Sequence, residues 1–240
     1  MRSLFLIATT AVSIGVWSSA FSQQSLGTKT GSDLHARTAI YPDGMACGRI
    51  TSFFGSMIDL DGTRRKMAHT GIDLGNLGDG LIAPADGRVE AIWAVSHDYG
   101  TDWNLLLAHT PKQLNLPTRP VVYYVEFDHL QLRDMLHLKV GDRLKRGDPI
   151  GVVHNPGDND RFRAEVHMEI FEIPEAKLSG TKWHNESGFK YWYNEAAQLV
   201  DPLNMLTLQP RSEPKIALFS PKADFGTFAG FVYPIRCTGQ

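Results

Sequence analysis

The stretch Ala164–Ile170 (AEVHMEI) carries an ionisable side chain at every second position. In an extended chain successive side chains point to opposite faces, and neighbours on one face lie roughly 6.5 to 7 Å apart. Glu165, His167 and Glu169 therefore share one face and are close enough to lean toward a single ion or its bound water. The pattern predicts a half-buried strand whose polar face is either solvated surface or the edge of a metal site.

A second candidate lies in the sequence His69-Thr-Gly-Ile-Asp73. A neutral imidazole and a carboxylate are both zinc ligands, and Gly71 between them allows a sharp backbone turn that could bring them to one cation. Taken alone the motif is weak, because His and Asp in a turn usually cap or hydrogen-bond the backbone.

A third candidate is His129, at the end of the strand-like stretch from Tyr123 to Leu130. Alternation places His129 on the same face as Phe127 and Val125. A single histidine at such a position is more often structural than catalytic.

The elements that would position these residues are predominantly β. From residue 45 to residue 208 the sequence is typical of short strands separated by Gly, Pro and Asp. Residues 80–92 and 140–151 share this pattern, with brief β-type runs broken by Gly or Asp-Gly turns. The pattern predicts a mostly β domain of antiparallel hairpins folded into stacked sheets, with long loops.

The N-terminal region differs from this domain. Residues 1–22 contain one charged residue, Arg2, followed by an apolar run and small residues at a possible cleavage site, which indicates an export signal. The apolar run from Leu4 to Val16 is shorter than the roughly 20 residues that span a bilayer, so no stable membrane insertion is expected after cleavage; an uncleaved anchor is the alternative. Residues 23–44 are interpreted as a linker or arm.

Charge and cysteine content narrow the possible partners. The formal net charge is −2, or −3 once Arg2 is removed, and no long basic run remains, so nucleic acid is a poor candidate partner. Cys47 and Cys237 are expected to form a disulfide in an exported protein, worth about 4 to 5 kcal/mol on the chain-entropy model, although two separate thiols remain possible.

The order of the motifs carries a resemblance to a known family. Along the chain lie Gly48–Gly55 (GRITSFFG), His69–Leu74 (HTGIDL), Ala83–Val89 (APADGRV), Asp128–Leu130 (DHL), Gly147–Gly151 (GDPIG), Val166–Glu169 (VHME) and Asp201–Leu203 (DPL). This arrangement resembles the M23 zinc metallopeptidases of the lysostaphin and LytM type. The matching region, 45–208, is the expected peptidase domain, and residues 209–240 form a C-terminal tail beyond it.

The resemblance implies roles for individual residues. His69, Asp73 and His167 match the zinc ligands, and His129 matches a histidine that stabilises the transition state. Three protein ligands leave the fourth zinc position open for water, as in catalytic sites. The implied substrate is bacterial peptidoglycan, cut within its peptide stems or cross-links by a secreted or periplasmic enzyme. His109 matches a strand-end histidine and is expected to be structural.

Glu165 departs from the family pattern, which has a histidine at this position. Three interpretations follow: Glu165 is the general base, Glu165 is a fourth zinc ligand, or the domain is inactive and only binds zinc or cell wall and regulates a partner wall hydrolase. A carboxylate can accept a proton from zinc-bound water, which favours the first. Glu169 is expected to support His167.

Two insertions should frame the substrate groove, residues 111–120 and 174–194. The second carries Trp183, Tyr191, Trp192 and Tyr193. These aromatic side chains could line the groove or pack over a loop.

Overall fold

The structure is a computed structural model that describes residues 47–59, 62–186, 189–206 and 216–237. The expected export signal, residues 1–22, and the linker, residues 23–44, lie outside the described residues. Side chains are described for the same ranges except 184–186 and 189–190.

The described chain is mostly β-strand. The strands are β1 Ile50–Ser52, β2 Ile72–Leu74, β3 Gly80–Ile82, β4 Gly87–His97, β5 Gly100–His109, β6 Val121–Leu130, β7 Arg143–Leu144, β8 Pro149–Val152, β9 Val166–Pro174, β10 Lys182–Glu186, β11 Phe189–Tyr193 and β12 Gln198–Val200. Two short α-helices, Leu132–Met135 and Pro202–Leu206, and three 3-10 helices, Pro111–Leu114, Pro156–Asp158 and Glu175–Gly180, lie in the connections.

Eight strands form one sheet in the order β1-β2-β9-β6-β5-β4-β7, with β12 also paired to β9. β3 pairs with β8, and β10 pairs with β11, in two small sheets. Every one of these strand pairings is antiparallel. The prediction of a mostly β fold built from antiparallel hairpins is confirmed.

The alternation of side chains in the long strands divides the large sheet into two faces. One face packs into the main core, in which Val125, Phe127, Val166, Met168 and Ile170 are completely buried. The strand AEVHMEI therefore points its apolar positions inward, as its period of two predicts. Burying these side chains fixes the register, since a slip by one residue would turn them out of the core.

The opposite face carries a smaller apolar cluster at one end. There the ring of Trp192, from the β10–β11 hairpin, lies 4.9 Å from the ring of Tyr124 and 5.6 Å from that of Phe171. Trp183 meets Trp93 edge-on at 5.3 Å. These two tryptophans of the 174–194 insertion pack on the sheet, and the polar end of the same face is left for the site described below.

The C-terminal segment is part of the main core. Phe231 and Tyr233 are completely buried, and the Tyr233 hydroxyl donates a 2.6 Å hydrogen bond to the carbonyl of Gly48. The disulfide between Cys47 and Cys237 is present, as predicted. The described part of the expected C-terminal tail, residues 216–237, is therefore held to the domain by buried aromatic side chains as well as by the disulfide.

His109 is structurally buried at the end of β5. Its Nδ1 donates a 2.8 Å hydrogen bond to the carbonyl of Asp86, and its ring meets that of Phe231 at 5.0 Å. Nε2 is buried without a hydrogen-bond partner among the described residues. Burial lowers the pKa of His109 from 6.5 to about 4, so the ring is held neutral in the folded protein.

This neutral histidine should make the fold sensitive to mild acid. In the unfolded chain His109 binds a proton below pH 6.5, whereas in the folded protein its ring binds one only near pH 4. The contribution of the neutral ring to the free energy of unfolding is therefore fully present above pH 6.5 and is lost as the pH falls toward 4. Between neutral pH and pH 5 this group alone should lower the free energy of unfolding by about 2 kcal/mol. Urea denaturation of wild type and His109→Gln at both pH values measures the difference. An equal pH dependence of the free energy of unfolding in the two proteins would contradict the lowered pKa of His109.

Candidate metal and catalytic site

Two neighbouring strands and the residue that precedes one of them bring three ligand-type side chains together. Asp73 on β2 stands directly opposite His167 on β9, and His69 lies four residues before Asp73, in the segment that leads into β2. The Asp73 Oδ1 atom is 2.8 Å from His167 Nδ1 and 3.1 Å from His69 Nε2, and the two nitrogens are 3.0 Å apart. All three residues are buried, with 4 to 9% of their surface exposed. The three predicted metal ligands therefore meet at one point.

The second ring nitrogen of each histidine has a hydrogen-bond partner outside this group of three. His69 Nδ1 lies 3.2 Å from the carbonyl oxygen of Phe53, an acceptor, so Nδ1 carries the proton and Nε2 keeps its lone pair. His167 Nε2 lies 3.1 Å from Oε1 of Glu169, which leaves the lone pair of Nδ1 facing Asp73. Both imidazoles are thus held in the tautomer that a metal ligand requires.

Three electron-pair donors that converge in this way need a positive species between them. Burial alone would lower the pKa of His167, but its hydrogen bonds to Asp73 and Glu169 raise that pKa well above the usual range. Burial would raise the pKa of Asp73, and the hydrogen bonds from the two histidines lower it instead. Two imidazoles and one carboxylate whose ligand atoms lie within 4.8 Å of one another form a donor set suited to zinc.

Gly71 allows the two strands to approach. A Cβ atom at this position would lie 2.2 Å from the carbonyl oxygen of Met168 and 3.0 Å from the His167 ring. From the sequence, Gly71 was expected to allow a sharp turn. In the structure the glycine makes room for β9 and for the ring of His167.

Three partly buried carboxylates lie beside the site, and two of them were not identified from the sequence. Glu169 faces Glu126 across β9 and β6, and Asp128 faces His167. The Asn104 amide donates to both Glu126 and Asp128, at 3.0 and 2.7 Å. Burial raises the pKa of Asp128 to about 6 and that of Glu126 well above its usual range. The sequence Glu126-Phe127-Asp128 alternates acidic and apolar residues as β9 does, and this alternation could have indicated that both carboxylates lie on the polar face.

Glu165 lies immediately before β9 rather than within it. Its backbone N–H donates to the carbonyl of His154 at 3.1 Å, and its Oε2 atom is buried without a hydrogen-bond partner among the described residues. Burial, followed by the charge of Asp73, raises the pKa of this carboxyl to about 7. Glu165 is not a member of the group whose ligand atoms converge.

His129 lies on the polar side of the sheet, and the expectation that it shares the face of Phe127 is wrong. The backbone at His129 is left-handed, with φ of 64°, which interrupts the alternation at the end of β6. Its Nδ1 atom is 2.8 Å from Oδ2 of Asp102 on β5, whereas Phe127 is completely buried in the main core.

Arg65 is a further residue at the site that the sequence did not indicate. Its Nη2 atom lies 3.6 Å from Oδ2 of Asp73 and 3.0 Å from Oδ1 of Asp59. The guanidinium therefore faces the carboxylate oxygen of Asp73 that is not directed at the histidines. Nothing in the spacing of Arg65 from the other site residues predicts this contact.

Comparisons with known proteins give similarity at the level of solved structures. No family model matches the chain, and no curated protein matches it. A zinc-containing peptidase from Vibrio cholerae is 23% identical with a TM-score of 0.37, over 56% of this chain and 35% of that one. The structure of LytU is 21% identical with a TM-score of 0.40, over 74% of this chain and 97% of that one.

A third solved structure is the catalytic domain of the prophage-encoded M23 protein EnpA from Enterococcus faecalis, as a point mutant. It is 20% identical with a TM-score of 0.32, over 56% of this chain and 86% of that one. Among the described residues, no helix has the length and apolar character needed to cross a membrane.

Proposed function

We propose that the protein is an exported zinc metalloendopeptidase that hydrolyses peptide bonds in the stems or cross-links of peptidoglycan. The observation that carries the proposal is the convergence of His69 Nε2, Asp73 Oδ1 and His167 Nδ1, each with its lone pair directed at one point. Three protein ligands leave a zinc coordination position open for chemistry. The disulfide supports a secreted or periplasmic location, because such bonds persist in oxidising compartments.

A zinc ion held by His69, Asp73 and His167 would lower the pKa of a water molecule and polarise the carbonyl of the peptide bond to be cut. The residues of the chain supply the proton transfers. Glu165 has a buried oxygen without a partner, and that oxygen accepts a proton from the attacking water and then delivers it to the leaving amine. His129 donates a hydrogen bond to the oxygen of the scissile carbonyl as negative charge develops there.

Peptidoglycan as the substrate is supported by the motif order along the chain and by the proposed export. The β10–β11 hairpin packs on the same face of the large sheet as the three proposed metal ligands. Its position favours a substrate groove that begins at these ligands and ends at Trp183 and Trp192. An extended wall peptide would lie between them.

Zinc analysis of the purified protein, combined with digestion of isolated peptidoglycan, tests the proposal. We expect one zinc per chain, release of new peptide amines from the wall material, and loss of that release after chelation, with recovery on adding zinc. A zinc-loaded protein that leaves every peptidoglycan type intact would contradict the peptidase. That result would favour the alternative function, a non-catalytic domain that binds zinc or cell wall and regulates another hydrolase.

A further inference from the structure

Asp102 is a buried carboxylate that the proposed reaction does not yet use. It is 1% exposed on β5, and its two oxygens have different partners. Oδ2 lies 2.8 Å from His129 Nδ1, and Oδ1 accepts a 2.5 Å hydrogen bond from the backbone N–H of Gly157. The carboxylate is therefore held from one side by a loop and presents its other oxygen to the histidine.

The loop that holds Asp102 packs tightly against β5. A Cβ atom at Gly157 would lie 2.8 to 3.0 Å from Tyr99 and from the backbone of Gly100, so only glycine allows this approach. His97 also approaches Asp102, but its Nε2 atom is 3.7 Å from Oδ2, beyond hydrogen-bonding distance. Of these two histidines, His129 is the one within hydrogen-bonding distance of the Asp102 carboxylate.

We propose that Asp102 is a positioning residue that fixes the orientation of His129 and commits its Nδ1 proton, so that only Nε2 is presented to the substrate. This inference rests on the proposed peptidase function. The left-handed backbone at His129, with φ of 64°, is an uncommon conformation for a residue with a side chain, and the Asp102 hydrogen bond is a contact that compensates for it. A carboxylate on Nδ1 also favours the doubly protonated ring, in which Nε2–H can donate to a developing oxyanion.

The isosteric variant Asp102→Asn tests the role of the charge. We expect kcat for peptidoglycan peptides to fall at least about tenfold, with KM changed less than about threefold and zinc content unchanged, because the residue acts through His129 and not on the metal ligands. Asp158→Asn is the matched control, since it removes a carboxylate from the same loop, where Asp158 pairs with exposed Arg133. The control should keep wild-type kcat.

A spectroscopic measurement on the full wild-type chain makes the test independent of activity. In protein labelled with ¹⁵N-histidine, His129 should show a protonated, hydrogen-bonded Nδ1, assigned by the loss of its signals in His129→Gln. The Nδ1 proton signal should shift or disappear in Asp102→Asn.

A His129 that lacks the Nδ1 proton in the wild type, or an Asp102→Asn protein with kcat within about twofold of wild type, would overturn the inference. A fall in kcat of equal size in Asp158→Asn would also overturn it, because it would show a general effect of the loop. An inactive wild type that still carries the Nδ1 proton on His129 would refute the proposed peptidase while supporting the positioning contact. The two failures are therefore distinguishable.

Discussion

Replacing His167 with alanine should yield a folded protein without bound zinc and without activity on peptidoglycan. The substitution removes one of three ligand atoms and leaves Asp73 with a single histidine partner at 3.1 Å. Supporting residues around a metal already change affinity by about 10- to 100-fold, so loss of a direct ligand should lower zinc affinity by at least about 100-fold. Zinc per chain after dialysis, measured by atomic emission, gives the result directly.

The matched control is His137→Ala, which removes an exposed histidine whose side chain lies 3.0 Å from the carbonyl oxygen of Pro149, away from the three converging residues. This variant should keep wild-type zinc content and cleavage. Undiminished zinc in His167→Ala would remove the metal assignment, and loss of zinc in both variants would indicate nonspecific binding. Circular dichroism separates loss of zinc from loss of fold, since the apolar face of β9 is untouched by the substitution.

The second large effect is expected for Glu165→Gln, which should keep zinc and lose peptide cleavage. Glutamine has the same shape but cannot accept the proton, and general-base catalysis contributes about 10²- to 10⁴-fold. The site supports this expectation, because Glu165 Oε2 is buried without a hydrogen-bond partner among the described residues and lies outside the converging ligand group. Two quantities are measured for each protein: kcat on a defined wall peptide and the number of zinc ions bound per chain.

The three interpretations of Glu165 give different results in the same experiment. If Glu165 is a fourth ligand, Glu165→Gln should weaken zinc retention and the wild type should be inert. If the domain only binds, wild type and variant should both carry zinc and leave peptidoglycan intact. Glu165→His, which restores the residue of the M23 pattern, should retain or raise activity if Glu165 is the base. A fully active Glu165→Gln protein would exclude Glu165 as the base.

Local patterns were sufficient to predict the mostly β fold and part of the site. Alternation in AEVHMEI correctly placed Val166, Met168 and Ile170 in the core and His167 with Glu169 on the other face. This inference succeeds because the direction of a side chain in a strand depends only on its parity along the chain. The pairing of Cys47 with Cys237 could be predicted for a similar reason, since an exported chain with two cysteines has one possible intramolecular partner for each.

Alternation fails where the backbone leaves the extended region, and His129 is the example. A left-handed residue at the end of β6 turns the ring to the polar face and toward Asp102. The left-handed conformation could not be predicted from the stretch Tyr123–Leu130, because this stretch lacks glycine, the residue that most often adopts it. The contact with Asp102 depends on the register of β5 against β6, which includes a bulge between Trp103 and Leu105.

The side chains that are chemically able to bind a metal could be read from the sequence, and so could the strand face on which most of them lie. Their meeting depends on the packing of distant segments: Asp73 and His167 are 94 residues apart, and the β2–β9 register places them opposite each other. This packing also brought Arg65 to the second Asp73 oxygen and buried Phe231 of the C-terminal segment in the core. Periodicity is a property of one strand, whereas register and loop placement come from packing between segments that are distant in sequence, so only the first can be predicted locally.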